Sequence, residues 1–235
     1  MLITSAANYE LKNIRKLLTD AAYRREQKLF ALEGFKILQF ARGIRTIYVR
    51  EDTKLPAVLA QYPCRTVAKK IFNTLSELEN PQGVLAVCAL PSPPEFSEQK
   101  KYIFLDRLQD PGNLGTIIRT AAAFGLDGLI CNKGCADVYA PKVVRAAMGA
   151  VFTLDILFKE ISELSGNILA AELSGEHPGK ITGGYVLAIG NEGQGLSAEV
   201  LAKATRRIAL PFDSARAESL NAAVSAGILM YLAQY

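Results

Sequence analysis

Five runs in the second half of the chain carry apolar residues on consecutive rather than alternate positions. They are YIFL at 102–105, GLIC at 128–131, ILAAEL at 168–173, YVLAIG at 185–190 and RIALP at 207–211. A strand with one face in water alternates; a strand covered on both faces does not. The runs therefore predict a sheet buried on both sides. The segments between them have room for crossover helices, predicted at 113–124, about 141–147, 157–164, 197–204 and 219–233. The expected class is α/β, with a doubly wound and mostly parallel sheet. In such a sheet, ligands are bound by the loops that leave the carboxyl ends of the strands.

The first ninety residues predict a separate, smaller α/β unit. Leu11, Ile14 and Leu18 form one stripe of a helix over 9–20, with Lys12, Arg15 and Lys16 off it. Strands are expected at 29–33, 44–49, 64–68 and 84–89, and helices at 35–42, 55–61 and 70–78. The segment PSPPEFSEQKK at 91–101 packs three prolines into four residues, which no helix or central strand tolerates. The expected division is 1–90, a linker at 91–100, and 101–235.

Half of the 235 residues are hydrophobic, enough for a sizeable core, yet no apolar run reaches 18 residues. The start, MLITSAANYELKN, has no basic stretch leading into an apolar one, so no membrane and a cytoplasmic location are expected. Four scattered cysteines and a single histidine, His177, supply no zinc set and no catalytic triad, and no metal is expected. The net charge of +4 is unevenly spread. Residues 1–50 hold ten Lys/Arg against four Asp/Glu, whereas 101–235 hold twelve against thirteen. That asymmetry fits a polyanion partner for the first unit, or equally a solvated basic face.

Three blocks marked by glycine and asparagine sit at strand-to-helix junctions: LQDPGNLGTIIRTAAAFG at 108–125, YVLAIGNEGQGLS at 185–197 and RIALPFDSARAESLNAAVSAGILMY at 207–231. The spacing G-x-x-G-x-G at 190–195 is not the dinucleotide fingerprint, and no P-loop occurs, so a nicotinamide enzyme or an NTPase is not supported. In the first block Arg119 shares its helix with Ile117, Ile118, Ala121 and Ala122; a buried idle charge there would be costly, which favours a functional arginine. Ser197 and Ser219 are placed to cap the helices that follow them, and Asn221, one turn into the last helix, is placed to point into a site.

The blocks resemble the three motifs of the SpoU (TrmH-like) methyltransferases of the SPOUT superfamily. The first does so through Asn113, Leu114, Gly115 and Arg119. The second does so through Gly190, Asn191, Glu192, Gly193 and Gly195, and the third through Leu210, Pro211, Ser219, Leu220, Asn221 and Gly227. The stretch YAPKVVRAAMGA at 139–150 is also similar to the family. So is the head of the chain, through Asn8, Arg24–Arg25 and FALEG at 30–34. Where the family often has Val-Ser after the asparagine, this chain has Ala222–Ala223, and Ala147 stands where a serine is frequent.

The resemblance implies a SPOUT domain at 101–235 closed by a trefoil knot, an RNA substrate-binding domain at 1–90, and a homodimer. It implies S-adenosyl-L-methionine as cofactor, in a pocket of Gly190, Leu210 and Leu220 with Asn191, Gly193 and Ser219. It implies 2′-O-ribose methylation of structured RNA, with Arg119, Glu192, Asn113 and Asn221 as the catalytic set. The large-subunit (23S) ribosomal RNA is the expected substrate; the alternatives are transfer RNA, or an inactive ribosome-associated RNA-binding protein. A guanidinium does not readily release a proton, so the expected role of Arg119 is to clamp a phosphate while a phosphate oxygen or Glu192 takes the proton.

Overall fold

The computed structural model describes residues 2–76, 78–213, 215–216 and 218–235. In chain order its elements are β1 (Leu2–Ile3), α1 (Tyr9–Thr19), α2 (Ala21–Gln27), β2 (Leu29–Glu33), α3 (Phe35–Leu38), β3 (Ile44–Arg50), β4 (Cys64–Val67), α4 (Lys69–Phe72) and β5 (Val84–Ala89). There follow β6 (Lys101–Leu105), α5 (Pro111–Ala123), β7 (Gly128–Cys131), α6 (Pro141–Ala147), β8 (Asp155–Phe158), β9 (Ile168–Glu176), β10 (Tyr185–Ile189), α7 (Ala198–Lys203), β11 (Arg206–Ile208) and α8 (Ala222–Gln234). Among the described residues these make two compact units: 2–92 with Asp137–Phe152, and Pro93–Ala136 with Thr153–Tyr235.

The first unit holds a five-stranded sheet in the order β1-β4-β3-β5-β2, parallel on the β1-β4-β3 side and antiparallel on the β3-β5-β2 side. Helix α1 starts because the Asn8 side chain accepts the amides of Glu10 and Leu11, and it buries Leu11, Ile14, Leu17 and Leu18. Asp20 then ends α1 and begins α2, its carboxylate accepting the Tyr23 amide at 3.0 Å. Helix α2 was not expected from the sequence. The helices expected at 55–61 and 70–78 shrink to single turns at Ala57–Leu59 and Lys69–Phe72, the first bracketed by Pro56 and Pro63. Glu77, in the second, lies outside the described residues.

Residues 137–152 join this first unit, although a continuous 101–235 domain was expected. Arg24, only 4% exposed, pairs with Asp137 at 2.6 Å and donates to the Leu17 carbonyl. The Phe30 ring lies 5.0 Å from that of Tyr139 and 5.8 Å from that of Phe152. Arg24 is therefore an internal strut and not a free cation for a polyanion. Asn8 is a helix cap.

The second unit holds a six-stranded parallel sheet in the order β11-β9-β10-β6-β7-β8. Tyr102, Ile103, Phe104 and Leu105 are fully buried, as are Leu187 and Ala188, so the runs at 102–105, 128–131 and 185–189 are strands covered on both faces; at 168–173 only Ile168–Ala170 are buried and Leu173 is exposed, and the run at 207–211 ends as strand at Ile208, its one buried residue. At about 2 kcal/mol for each large side chain removed from water, their burial is a major source of this unit's stability. Residues 157–164, expected as a helix, instead give the edge strand β8 and a single turn at Ile161–Glu163 closed by the carboxylates of Glu160 and Glu163. Ile156 and Leu157 pair with β7, and sheet pairing overrides local pattern here.

Candidate active site

Strands β6 and β10 are paired through Leu105 and Ile189, so the loops that follow them leave the sheet side by side. After β6 comes Asp106, fully buried. Its Oδ2 accepts the Ser197 amide at 2.6 Å, and its Oδ1 accepts Asn132 Nδ2 at 2.8 Å and Arg107 Nε at 3.1 Å. Burial pushes this carboxyl up, but the bonds from Ser197, Asn132 and Arg107 outweigh it and hold the group below the ordinary aspartate value.

The loop after β10 is built from within. The Asn191 and Gly195 backbones exchange two hydrogen bonds, at 3.0 and 2.9 Å. The Asn191 side chain accepts the amides of Gly193 and Gln194 and donates to the Arg107 carbonyl at 2.9 Å. Gly190 is needed for this closure, since a Cβ there would stand 2.2 Å from the Gly195 carbonyl carbon and 2.4 Å from the Leu196 nitrogen. Its lack of a side chain is thus explained by the loop itself. Asn191 and Gly193 likewise have internal roles. Ser197 occupies the cap position of α7 without a side-chain capping bond.

Helix α5 begins at Pro111 with Asp110 capping the Asn113 amide at 2.7 Å. Helix α8 begins at 222, not 219, and its cap is Asn221: Oδ1 accepts the amides of Ala223 and Val224 at 2.9 and 3.2 Å. Ser219 is therefore not the cap. Capping fixes the amide orientation of Asn221, because the atom facing two N–H groups must be the oxygen. Its Nδ2 then donates to Asn113 Oδ1 at 3.0 Å, and Asn113 Nδ2 donates to Glu192 Oε1 at 3.1 Å. One chain of fixed polarity thus joins residues from all three blocks and ends on a carboxylate oxygen as acceptor.

Arg119 stands apart from that chain. Six residues beyond Asn113, it is rotated by about 120° on the helix. It is exposed, with no hydrogen-bond or ion-pair partner among the described residues, so the burial expected from its neighbours does not hold. Ile117, Ile118 and Ala121 face the core while Arg119 faces solvent.

Leu210 and Leu220 are half-buried, in the segment between β11 and α8, and Ser219 is exposed. Ser214 and Ala217 of the same block lie outside the described residues. Between α5 and α8 runs a groove of about 520 Å³, with Asn113 and Asn221 among its lining residues together with Thr116, Thr120, Phe124, Val224, Gly227, Ile228 and Tyr231. Among the described residues no cluster of His, Cys, Asp or Glu could hold a metal ion, and no helix is long and apolar enough to cross a membrane.

Asp106, Arg107, Asn132 and Gln194 were not expected as site residues. The available signal was a charged pair directly following a fully apolar strand, at the sheet edge where such folds build their sites.

Residues 100–231 match the SpoU rRNA Methylase family, and residues 8–86 match the MRM3-like substrate binding domain. The chain belongs to the SpoU rRNA methylase family. It is 32% identical over 244 residues to the 23S rRNA (guanosine(2553)-2'-O)-methyltransferase RlmP of Bacillus subtilis (strain 168), covering 97% of each chain. It resembles the AdoMet-bound rRNA methyltransferase of Sinorhizobium meliloti, with a TM-score of 0.83, 31% identity, and 98% of this chain and 96% of that one covered. It also resembles the SpoU methyltransferase AviRb of Streptomyces viridochromogenes in complex with AdoMet, with a TM-score of 0.82, 25% identity, and 95% and 96% covered.

Proposed function

We propose that the protein transfers a methyl group from S-adenosyl-L-methionine to a ribose 2′-hydroxyl of structured RNA, with the 23S ribosomal RNA as substrate and the cytoplasm as the place. The observation that carries this reading is the chain Asn221–Asn113–Glu192, which draws one residue from each block into a single acceptor-ended relay. The full-length likeness to a 23S rRNA 2′-O-methyltransferase supports the substrate.

The residues fit the cofactor. Leu210 and Leu220 are partly exposed apolar side chains in the segment between β11 and α8, as an adenine slot needs, and the glycine loop at 190–195 lets a ligand approach backbone. Bound there, the cofactor supplies a methyl group on a sulfonium. The protein's task is then alignment, which can lower a displacement barrier by roughly 7–11 kcal/mol. Asn113 and Asn221 orient the ribose. Glu192, already the acceptor end of the relay, takes the hydroxyl proton directly or through a phosphate oxygen. Arg119, exposed and uncommitted, clamps a neighbouring phosphate bidentately.

Residues 1–92 dock the RNA through exposed Lys12, Lys16, Arg25 and Lys28, with Arg24 excluded by its buried pairing. The segment following β10 is threaded as a trefoil knot, a reading supported by the family and by the contacts of both Glu192 and Asn221 with α5. The molecule works as a homodimer in which a second copy covers the α5–α8 groove. Val224, Ile228, Tyr231 and Tyr235 form an exposed apolar stripe there. Gly227 lines the groove although a Cβ at that position would meet nothing closer than 3.5 Å. A glycine inside a helix costs about 1 kcal/mol, and among the described residues a Cβ there would meet only Thr120 at ordinary contact distance, which supports close approach by a second copy.

Ribose methylation mapped in ribosomal RNA from cells with and without the protein tests the proposal. Loss of one 2′-O-methyl mark in 23S rRNA is expected. An unchanged map would favour transfer RNA or a non-catalytic binding role.

A further inference from the structure

One dipeptide holds the Gly190–Leu196 loop at three points. Near its start, the Arg107 carbonyl accepts Asn191 Nδ2 at 2.9 Å; within it, the Arg107 guanidinium donates to Gln194 Oε1 at 3.2 Å; at its exit, Asp106 accepts the Ser197 amide at 2.6 Å. Asn132 closes the set from the other side. Its Oδ1 accepts the Arg107 amide at 2.7 Å and its Nδ2 donates to Asp106 at 2.8 Å.

Arg107 has a φ of 57°, in the left-handed region. A side chain is strained there and glycine is not. A mere turn after β6 would be met more cheaply by glycine. The arginine gains from this conformation a guanidinium that reaches buried Asp106 and Gln194 together, while its backbone serves Asn132 and Asn191.

We propose that Asp106 and Arg107 are positioning residues that hold the Gly190–Leu196 loop in the form that binds cofactor and presents Glu192 to Asn113. The inference rests on the functional reading above. Neither residue touches the reacting atoms; both act through the loop.

The test uses the full chain. Arg107→Gly removes the guanidinium and keeps the backbone conformation at ease. The expected result is a folded protein with S-adenosyl-L-methionine affinity weakened about tenfold by calorimetry, and kcat lowered as well, because Glu192 loses its guide. Gln194→Ala removes the other end of the same contact, so the double variant is expected to bind no worse than either single one. Leu220→Arg serves as the control for the cofactor site. If Arg107→Gly binds like wild type while Leu220→Arg does not bind, the positioning role is wrong and the site stands. If neither affects binding, the cofactor does not use this edge and both readings fall. A variant that loses stability but keeps full affinity in its folded fraction also overturns the positioning role, since that is the mark of a structural part alone.

Discussion

Two loops at the carboxyl edge of the parallel sheet carry the candidate site, and they are held differently. The loop after β10 is bridged across its base, gripped by Asp106 and Arg107, and leaves no room for a side chain at Gly190. In the segment after β11, among the described residues, positions 211–220 bond only to Asp213 within the same stretch, and Pro211, Asp213, Glu218 and Ser219 are exposed. The first loop brings its geometry to the reaction ready-made. The second is fixed at its far end, where Asn221 caps α8.

That contrast separates substitutions in the two loops. Gly190→Val is expected to have the largest effect. Its side chain must displace the Gly195–Leu196 backbone, costing about 3 kcal/mol of stability, and cofactor binding is lost with the loop. Leu220→Arg in the second loop is expected to lose binding with an unchanged melting temperature. Equal destabilisation of both variants in thermal melts would erase the distinction.

Arg119→Ala comes next. Methyl transfer is expected to fall about 100-fold or more, with cofactor affinity and melting temperature unaltered. Lysine is expected to restore little of it, because a point charge does not reproduce the guanidinium fork. Single-turnover rates alongside calorimetry check both. A near wild-type rate for the alanine variant would pass the role to Glu192 and the prebuilt loop alone.

Gly227→Leu probes the groove rather than the loops. A better helix former at 227 is expected to leave the fold of the chain intact, with a gain of about 1 kcal/mol in helix propensity, while its side chain fills the space a second copy would occupy. Sedimentation is expected to show a dimer for wild type and a monomer for the variant. A variant that remains dimeric places the partner elsewhere.

The smallest effect concerns pH. The Asp106 carboxyl is held below its ordinary value, so its contribution to stability is present above the unfolded value of about 3.9 and is lost as pH falls through the folded one. Urea midpoints are therefore expected to drop below about pH 4, and to drop less in Asp106→Asn. Identical acid limbs for the two would show that Asp106 is not ionised in the folded protein.

The buried parallel strands were legible because burial on both faces leaves a continuous apolar run; β7 and β10 match their expected ranges to within a residue. Helix α2 and strand β8 were not, because a two-way cap at Asp20 and pairing at a sheet edge are tertiary facts. The attachment of 137–152 to the first unit comes from Asp137 meeting Arg24 and from Tyr139 and Phe152 packing on Phe30, which a single chain read along its length does not reveal. It changes how the RNA-docking unit should be tested. Deleting residues 1–95 would also strip Asp137 and Tyr139 of their partners, so reversing exposed charges such as Lys12 and Lys16 is the cleaner approach. Asn113, Glu192 and Asn221 were singled out by the blocks and the structure brings them together, but their order in a hydrogen-bonded chain was not legible. Gly190 and Asn191 were expected to serve the cofactor, and the structure gives both a prior duty in closing the loop.

The most direct test of the central claim is to present target RNA in which the acceptor nucleotide carries a single 2′-deoxy substitution. The site is read as aligning a ribose hydroxyl between Glu192 and the Asn113–Asn221 pair, so the normal RNA is expected to accept labelled methyl and yield a linkage resistant to alkali, and the deoxy RNA to accept none. Methyl transfer that persists on the deoxy RNA would mean that a base atom is the acceptor, and would contradict the assignment of the relay to a hydroxyl proton.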